Sequence, residues 1–101
     1  MKNYNHIAEN DLIELAQKQN DHMAIEELLC RYKNTVRAIA RRFFITTGDM
    51  EDLVQEGMIT LYNAILSYND SKIPFKNYLS ICIERKMISM VRFSQGKKIS
   101  R

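Results

Sequence analysis

From Asp21 to Phe43 the sequence carries one continuous apolar stripe. Ile25, Leu28, Leu29, Tyr32, Val36, Ile39, Ala40 and Phe43 recur at three- and four-residue steps, the period that places side chains on one side of an α-helix. A long helix with one apolar side must bury that side, so the rest of the chain has to supply its packing partners. The opposite side carries Lys33, Arg37 and Arg41 at successive four-residue steps, with Arg42 beside them. Asp21 is the expected N-cap, and Thr46-Thr47-Gly48 the expected stop.

Three more segments read as helices. Asn10 or Asp11 caps a short one holding Leu12, Ile13, Leu15 and Ala16, which stops near Lys18-Gln19-Asn20. Asp49 caps another, with Glu51 and Asp52 in its first turn, where the helix dipole favours acids. Its expected buried stripe is Val54, Met58, Leu61, Tyr62 and Ile65. After a loop from Tyr68 to Pro74, a last helix begins near Phe75 and runs to about Phe93, closed by Ser94-Gln95-Gly96. Phe75, Leu79, Cys82, Ile83, Met87, Met90 and Val91 form its inward side, and Ile81 and Ile88 fall away from it. With one proline and three glycines in 101 residues and no strand candidate, the predicted class is all-α, a compact bundle of about four helices.

Composition narrows the function classes. The length fits one domain. No apolar stretch approaches the roughly 20 residues of a membrane span, and the first residues lack a signal-peptide core; the expected address is the cytoplasm, with no membrane partner. Cys30 and Cys82 lie far apart and read as reduced, small apolar side chains. His6 and His22 are also isolated, so no metal or cofactor is expected. Asp52 with Glu56 could pass for paired carboxylates, but no histidine stands near them in sequence, and the chain is not expected to be an enzyme. Charge is divided: residues 1–70 hold seven Lys/Arg against eleven Asp/Glu, and residues 71–101 eight against Glu84 alone. A basic C-terminal element on an acidic body suits a polyanion, or is a solvated lysine-rich tail.

The most specific string is Asp52-Leu53-Val54-Gln55-Glu56-Gly57, continued by Met58-Ile59-Thr60-Leu61. With the expected stripe inward, Asp52, Gln55, Glu56 and Ile59 face solvent and, together with Leu53, make a patch suited to an arginine-bearing helix. An acidic, solvated helix start would look the same. This string strongly resembles region 2.2 of bacterial RNA polymerase sigma factors. Thr35 to Phe43, ending Ile39-Ala40-Arg41-Arg42-Phe43, resembles the region 2.1 helix; Pro74-Phe75-Lys76-Asn77-Tyr78-Leu79 resembles the start of region 2.3; and Ile83-Glu84-Arg85-Lys86-Met87-Ile88 resembles region 2.4. The likeness covers roughly residues 10 to 95, in order and at family spacing. Its opening, Asp11 to Gln17 and Ala24 to Tyr32, is most like the sporulation-type sigma-H branch.

The resemblance implies a region 2 domain over residues 1–95 and the start of a basic linker over 96–101. It implies docking on core RNA polymerase, at the clamp helices of the largest subunit, through Asp52, Leu53, Gln55, Glu56 and Ile59. It further implies capture of the non-template strand of the promoter minus-ten element. Tyr78 would be the stacking ring, at about 1–3 kcal/mol per base, where a core tyrosine is the plain alternative. Arg85 and Ile88 match the positions facing the upstream base pair, and Ile81 stands with Cys82 where primary sigma factors carry two tryptophans. That departure implies an alternative sigma factor with a weaker wedge. Lys76, Lys86 and Arg92, with Arg41 and Arg42, would neutralise phosphates. The loop from Asn69 to Pro74 could hold a flipped base, and an anti-sigma factor is a further partner the family allows. The family's helix-turn-helix for the minus-thirty-five element has no counterpart in these 101 residues, as expected of either a fragment or a short form. A helical adaptor that binds polymerase without reading DNA would share the docking patch but not the fourth-helix role.

Overall fold

The long stripe folds as read. In the computed structural model, which describes residues 4–47, 49–69 and 72–99 (of 45–47 and 93–99 the backbone alone), four helices follow one another. They are α1 (Glu9–Gln19), α2 (His22–Thr47), α3 (Met50–Ser67) and α4 (Phe75–Ile99). There is no strand among the described residues. Helices α2, α3 and α4 each pack on the other two, and α1 lies against α2 and α3. Ile25, Leu28, Tyr32, Val36, Ile39 and Ala40 of α2 are buried, with Leu29 and Phe43 half-buried at the edges of the stripe. From α1 come Leu12, Ile13 and Ala16, and from α4 come Phe75, Leu79, Ile83 and Met87.

The cap of α2 is Asp21, whose Oδ1 accepts from the amides of Met23 (3.0 Å) and Ala24 (3.3 Å) while Oδ2 accepts from the Tyr4 hydroxyl (2.9 Å). Burial pushes the Asp21 carboxyl up, but the Tyr4 hydroxyl and the two amides outweigh it and hold it below the usual carboxylate range. A lowered folded pKa means this cap is in place above the ordinary carboxylate value and is lost as pH falls through the folded one. Protection of the Met23 and Ala24 amides against exchange, taken relative to the intrinsic rate at each pH, should therefore fall on acidification before protection in the middle of α2 does.

Helix α1 begins two or three residues earlier than expected. Neither Asn10 nor Asp11 caps it; Ala8 occupies the N-cap position without a side-chain bond. The start is fixed instead from α2: the Arg31 guanidinium donates to the carbonyls of Tyr4 (3.2 Å), Asn5 (3.1 Å) and Ile7 (2.8 Å), and the Tyr32 hydroxyl donates to Glu9. Burial, then that hydrogen bond, pushes the Tyr32 phenol well above its ordinary range, so it stays a donor. Gln17 ties α1 to the end of α3, donating to the carbonyls of Ile65 and Tyr68, each at 2.8 Å. Helix α4 does not stop at Phe93 but continues to Ile99. Nothing in Ser94-Gln95 breaks a helix, and Gly96 costs only about 1 kcal/mol.

Helix α3 is rotated from its expected setting. Leu53, Gly57, Leu61, Ala64 and Ile65 are buried, Val54 and Met58 are half-buried, and Tyr62 is exposed. The helix carries a second apolar row, Ile59, Tyr62 and Leu66, besides the buried one, so periodicity alone does not fix its rotation; Gly57 does. A Cβ there would lie 2.6 Å from Val36 Cγ1 and 3.3 Å from Met87 Cε, so only glycine permits this approach of α3 to α2. Val36 is fully buried and, being β-branched, has one favoured rotamer with which to respond. Gly57→Ala should thus destabilise by about 1–2 kcal/mol net of its gain in helix propensity. Urea unfolding should show the lower midpoint, and combination with Val36→Ala should cost less than the sum of the two single changes.

Candidate docking and nucleic-acid faces

The rotation set by Gly57 decides which side of α3 looks outward. Gln55, Ile59, Tyr62 and Leu66 follow at steps of four, three and four, so they line one side of the helix. All are exposed, Ile59 by 50%, Tyr62 by 41% and Leu66 by 39%. Asp52 is exposed beside them. The result is a narrow apolar seam with an amide and a carboxylate at its N-terminal end. Tyr62, expected in the core, is exposed here together with Leu66; their signal in the sequence is an apolar residue every three or four positions on a second side of α3.

Of the expected docking residues, Asp52, Gln55 and Ile59 lie on this face and Glu56 at its margin toward α4. Leu53 does not. It is 0% exposed and packs inward one turn before Gly57, on the same side of the helix. Glu56 Oε1 lies 3.4 Å from Lys86 Nζ, so it is already engaged across the α3–α4 seam. On the other flank, Arg37, Met50, Glu51, Val54 and Gln55 border a shallow groove of about 430 Å³ between α2 and the start of α3.

Helix α4 presents a second outward side. Tyr78, Ile81, Arg85, Ile88 and Arg92 follow at steps of three, four, three and four, and the last four are exposed. Lys76 is exposed at the start of the helix. Tyr78 is half-buried and ends a row of rings: Tyr32 meets Phe75 edge-on at 5.3 Å, Phe75 meets Tyr68 edge-on at 5.2 Å, and Tyr68 meets Tyr78 at 5.5 Å and a 48° tilt. Its hydroxyl lies 2.8 Å from Ser67 Oγ, and the Tyr68 hydroxyl donates to the Ile73 carbonyl at 2.5 Å. The Tyr78 ring is thereby fixed by α3 and by the loop before α4, with part of it left open to solvent.

The five expected phosphate neutralisers divide. Arg41, Lys76 and Arg92 are exposed, with no ion-pair partner among the described residues. Arg42 is paired with Glu84 at 2.6 Å and Lys86 with Glu56. Neither pairing was legible, since each depends on the rotation of two helices. Cys30, expected inside, is exposed on α2, and Cys82 is half-buried; both are free thiols. Among the described residues no cluster could hold a metal ion, and no helix is long and apolar enough to cross a membrane. Asp70 and Ser71 of the loop and the side chains of Lys97 and Lys98 lie outside the described residues, as does Arg101.

These two faces sit on a chain that belongs to the Sigma-70 region 2 family, whose sequence model matches residues 28–96. More narrowly, it is similar to sigma-H factors. Over 79 residues it is 39% identical to the "RNA polymerase sigma-H factor" of Bacillus subtilis (strain 168) and, at the same identity and length, to that of Bacillus licheniformis. The match takes in 77% of this chain but 36% and 35% of those proteins, so the chain spans about a third of the length of these relatives. No solved structure matches it.

Proposed function

We propose that this chain is the core-binding and promoter-melting part of an alternative sigma factor. The outward side of α3 docks on the clamp helices of the polymerase largest subunit, and the outward side of α4 receives the non-template strand of the minus-ten element. The observation that carries the reading is the separation of two chemically different faces on adjacent helices. Gln55, Ile59, Tyr62 and Leu66, with Asp52, form an apolar seam with an acidic margin. That chemistry fits a helical partner bearing arginine. Arg85 and Arg92 alternate with Ile81 and Ile88 beyond the Tyr78 ring. Cations with apolar atoms and an aromatic edge fit unstacked bases on a phosphate backbone. Arg85 can donate to a guanine edge or to a phosphate, and Arg41, Lys76 and Arg92 are the cations most open to phosphate. The chain acts without catalysis of its own, and an anti-sigma factor would compete for either face.

Two sets of variants test it. A pull-down on isolated clamp helices should retain the wild-type chain and lose Gln55→Ala/Glu56→Ala; equal behaviour of the two would refute the docking assignment. Tyr78→Ala and Arg85→Ala should keep clamp binding yet lose capture of a single-stranded minus-ten oligonucleotide in the polymerase complex. Undiminished capture by both variants would favour an adaptor that leaves DNA alone.

A further inference from the structure

Glu56 stands at the boundary of the two faces. It projects from α3 on the side of α4, one turn after Asp52, and its side chain is 33% exposed. Lys86 reaches it from α4, next in sequence to Arg85, with a side chain 44% exposed. At 3.4 Å the contact is longer than a close charge-assisted hydrogen bond, which spans about 2.7–2.9 Å. A partner guanidinium can approach a carboxylate with two parallel donors, which an ammonium cannot match. The other α4 pairing among the described residues, Arg42 with Glu84, joins α2 to α4 and involves no residue of the docking face.

We infer that Glu56 is an acceptor shared between docking and DNA binding. In the free chain it holds Lys86; when a cationic helix seats on α3, an arginine of that helix takes the carboxylate and Lys86 is released to a phosphate on the α4 side. The inference rests on the two-face reading above and adds a route by which one face acts on the other. The exchange conserves charge: one ion pair breaks, another forms, and one lysine becomes free. Lys86 has a flexible four-carbon stem and stands beside Arg85, so the freed ammonium adds to an existing basic row. An ion pair this exposed is weak, so its release should change DNA affinity by about two- to fivefold. One more phosphate neutralised on a single strand should steepen the salt dependence by about 0.7 in log–log slope.

The test is a double-mutant cycle on the full chain with a labelled 20-nucleotide single strand of mixed sequence, titrated across KCl concentrations. Glu56→Gln should tighten binding by about two- to fivefold and steepen the slope. The same change on a Lys86→Gln background should do neither, because nothing is left to release. A gain that persists on that background would overturn the inference, as it would reflect the lost negative charge alone; so would no gain in the single variant. In parallel, the Lys86 Cε resonance of the wild type should move, when isolated clamp helices are added, toward its position in free Glu56→Gln. Clamp binding with that resonance unmoved would also overturn the exchange. Failure of every form of the chain, wild type included, to bind the strand, or of the clamp helices to bind the chain, would instead remove the two-face reading beneath it.

Discussion

Phe75→Ala should lower the unfolding free energy by about 3–5 kcal/mol, the cost of emptying a large buried aromatic site. The ring is 1% exposed and is held edge-on by Tyr32 of α2 and by Tyr68 at the end of α3. It is also the first residue of α4, so the cavity would open where three helices meet and the surroundings can collapse only partly. A domain of this size has about 5–15 kcal/mol in all, so the loss is a large share of the total. At about 4–8 °C per kcal/mol, thermal unfolding should move down by tens of degrees. Urea titration should show the midpoint falling with little change in slope. Phe75→Leu, which keeps most of the volume but not the ring edges, should cost markedly less. Because the ring row ends at Tyr78, the alanine variant should also loosen the proposed stacking ring under conditions where the chain stays folded.

Ile59→Asp should leave folding intact and weaken polymerase binding by about 30-fold or more, the scale of a hot-spot residue. Ile59 is half-exposed in the middle of the seam formed by Gln55, Tyr62 and Leu66, so little native packing is lost. In the docked state the new carboxylate would sit among apolar atoms, desolvated and without a designed partner. Asn34→Asp, which adds the same charge on the exposed surface of α2, should change binding little. Calorimetric titration of the clamp helices with both variants separates the seam from a general effect of charge. Equal affinity for the two variants would argue against α3 as the docking helix.

What could be read from the sequence follows from how many sides of each helix are apolar. Helix α2 is apolar on one side only, so its stripe and its cap Asp21 were legible. The inward row of α4 was legible because Phe75, Leu79, Ile83 and Met87 recur at unbroken four-residue steps, with Ile81 and Ile88 outside it. Helix α3 is apolar on two sides, and the setting that buries Leu53 and exposes Tyr62 comes from a tertiary contact, Gly57 against Val36. That one rotation moved Leu53 out of the docking set and brought Tyr62 and Leu66 into view. Contacts to backbone were illegible for another reason: Arg31 holds the carbonyls of Tyr4, Asn5 and Ile7, and every residue offers a carbonyl. The pairings of Arg42 and Lys86 needed the orientation of two helices at once.

The claim that α3 faces polymerase and α4 faces DNA is tested most directly by where each face crosslinks. A photoreactive phenylalanine analogue placed at Tyr62 or at Ile88, both exposed, would be irradiated in a complex of the chain with core polymerase and melted minus-ten DNA. Position 62 should crosslink to the largest subunit and position 88 to the DNA strand. A crosslink from position 62 to DNA, or from position 88 to the clamp helices, would contradict that claim.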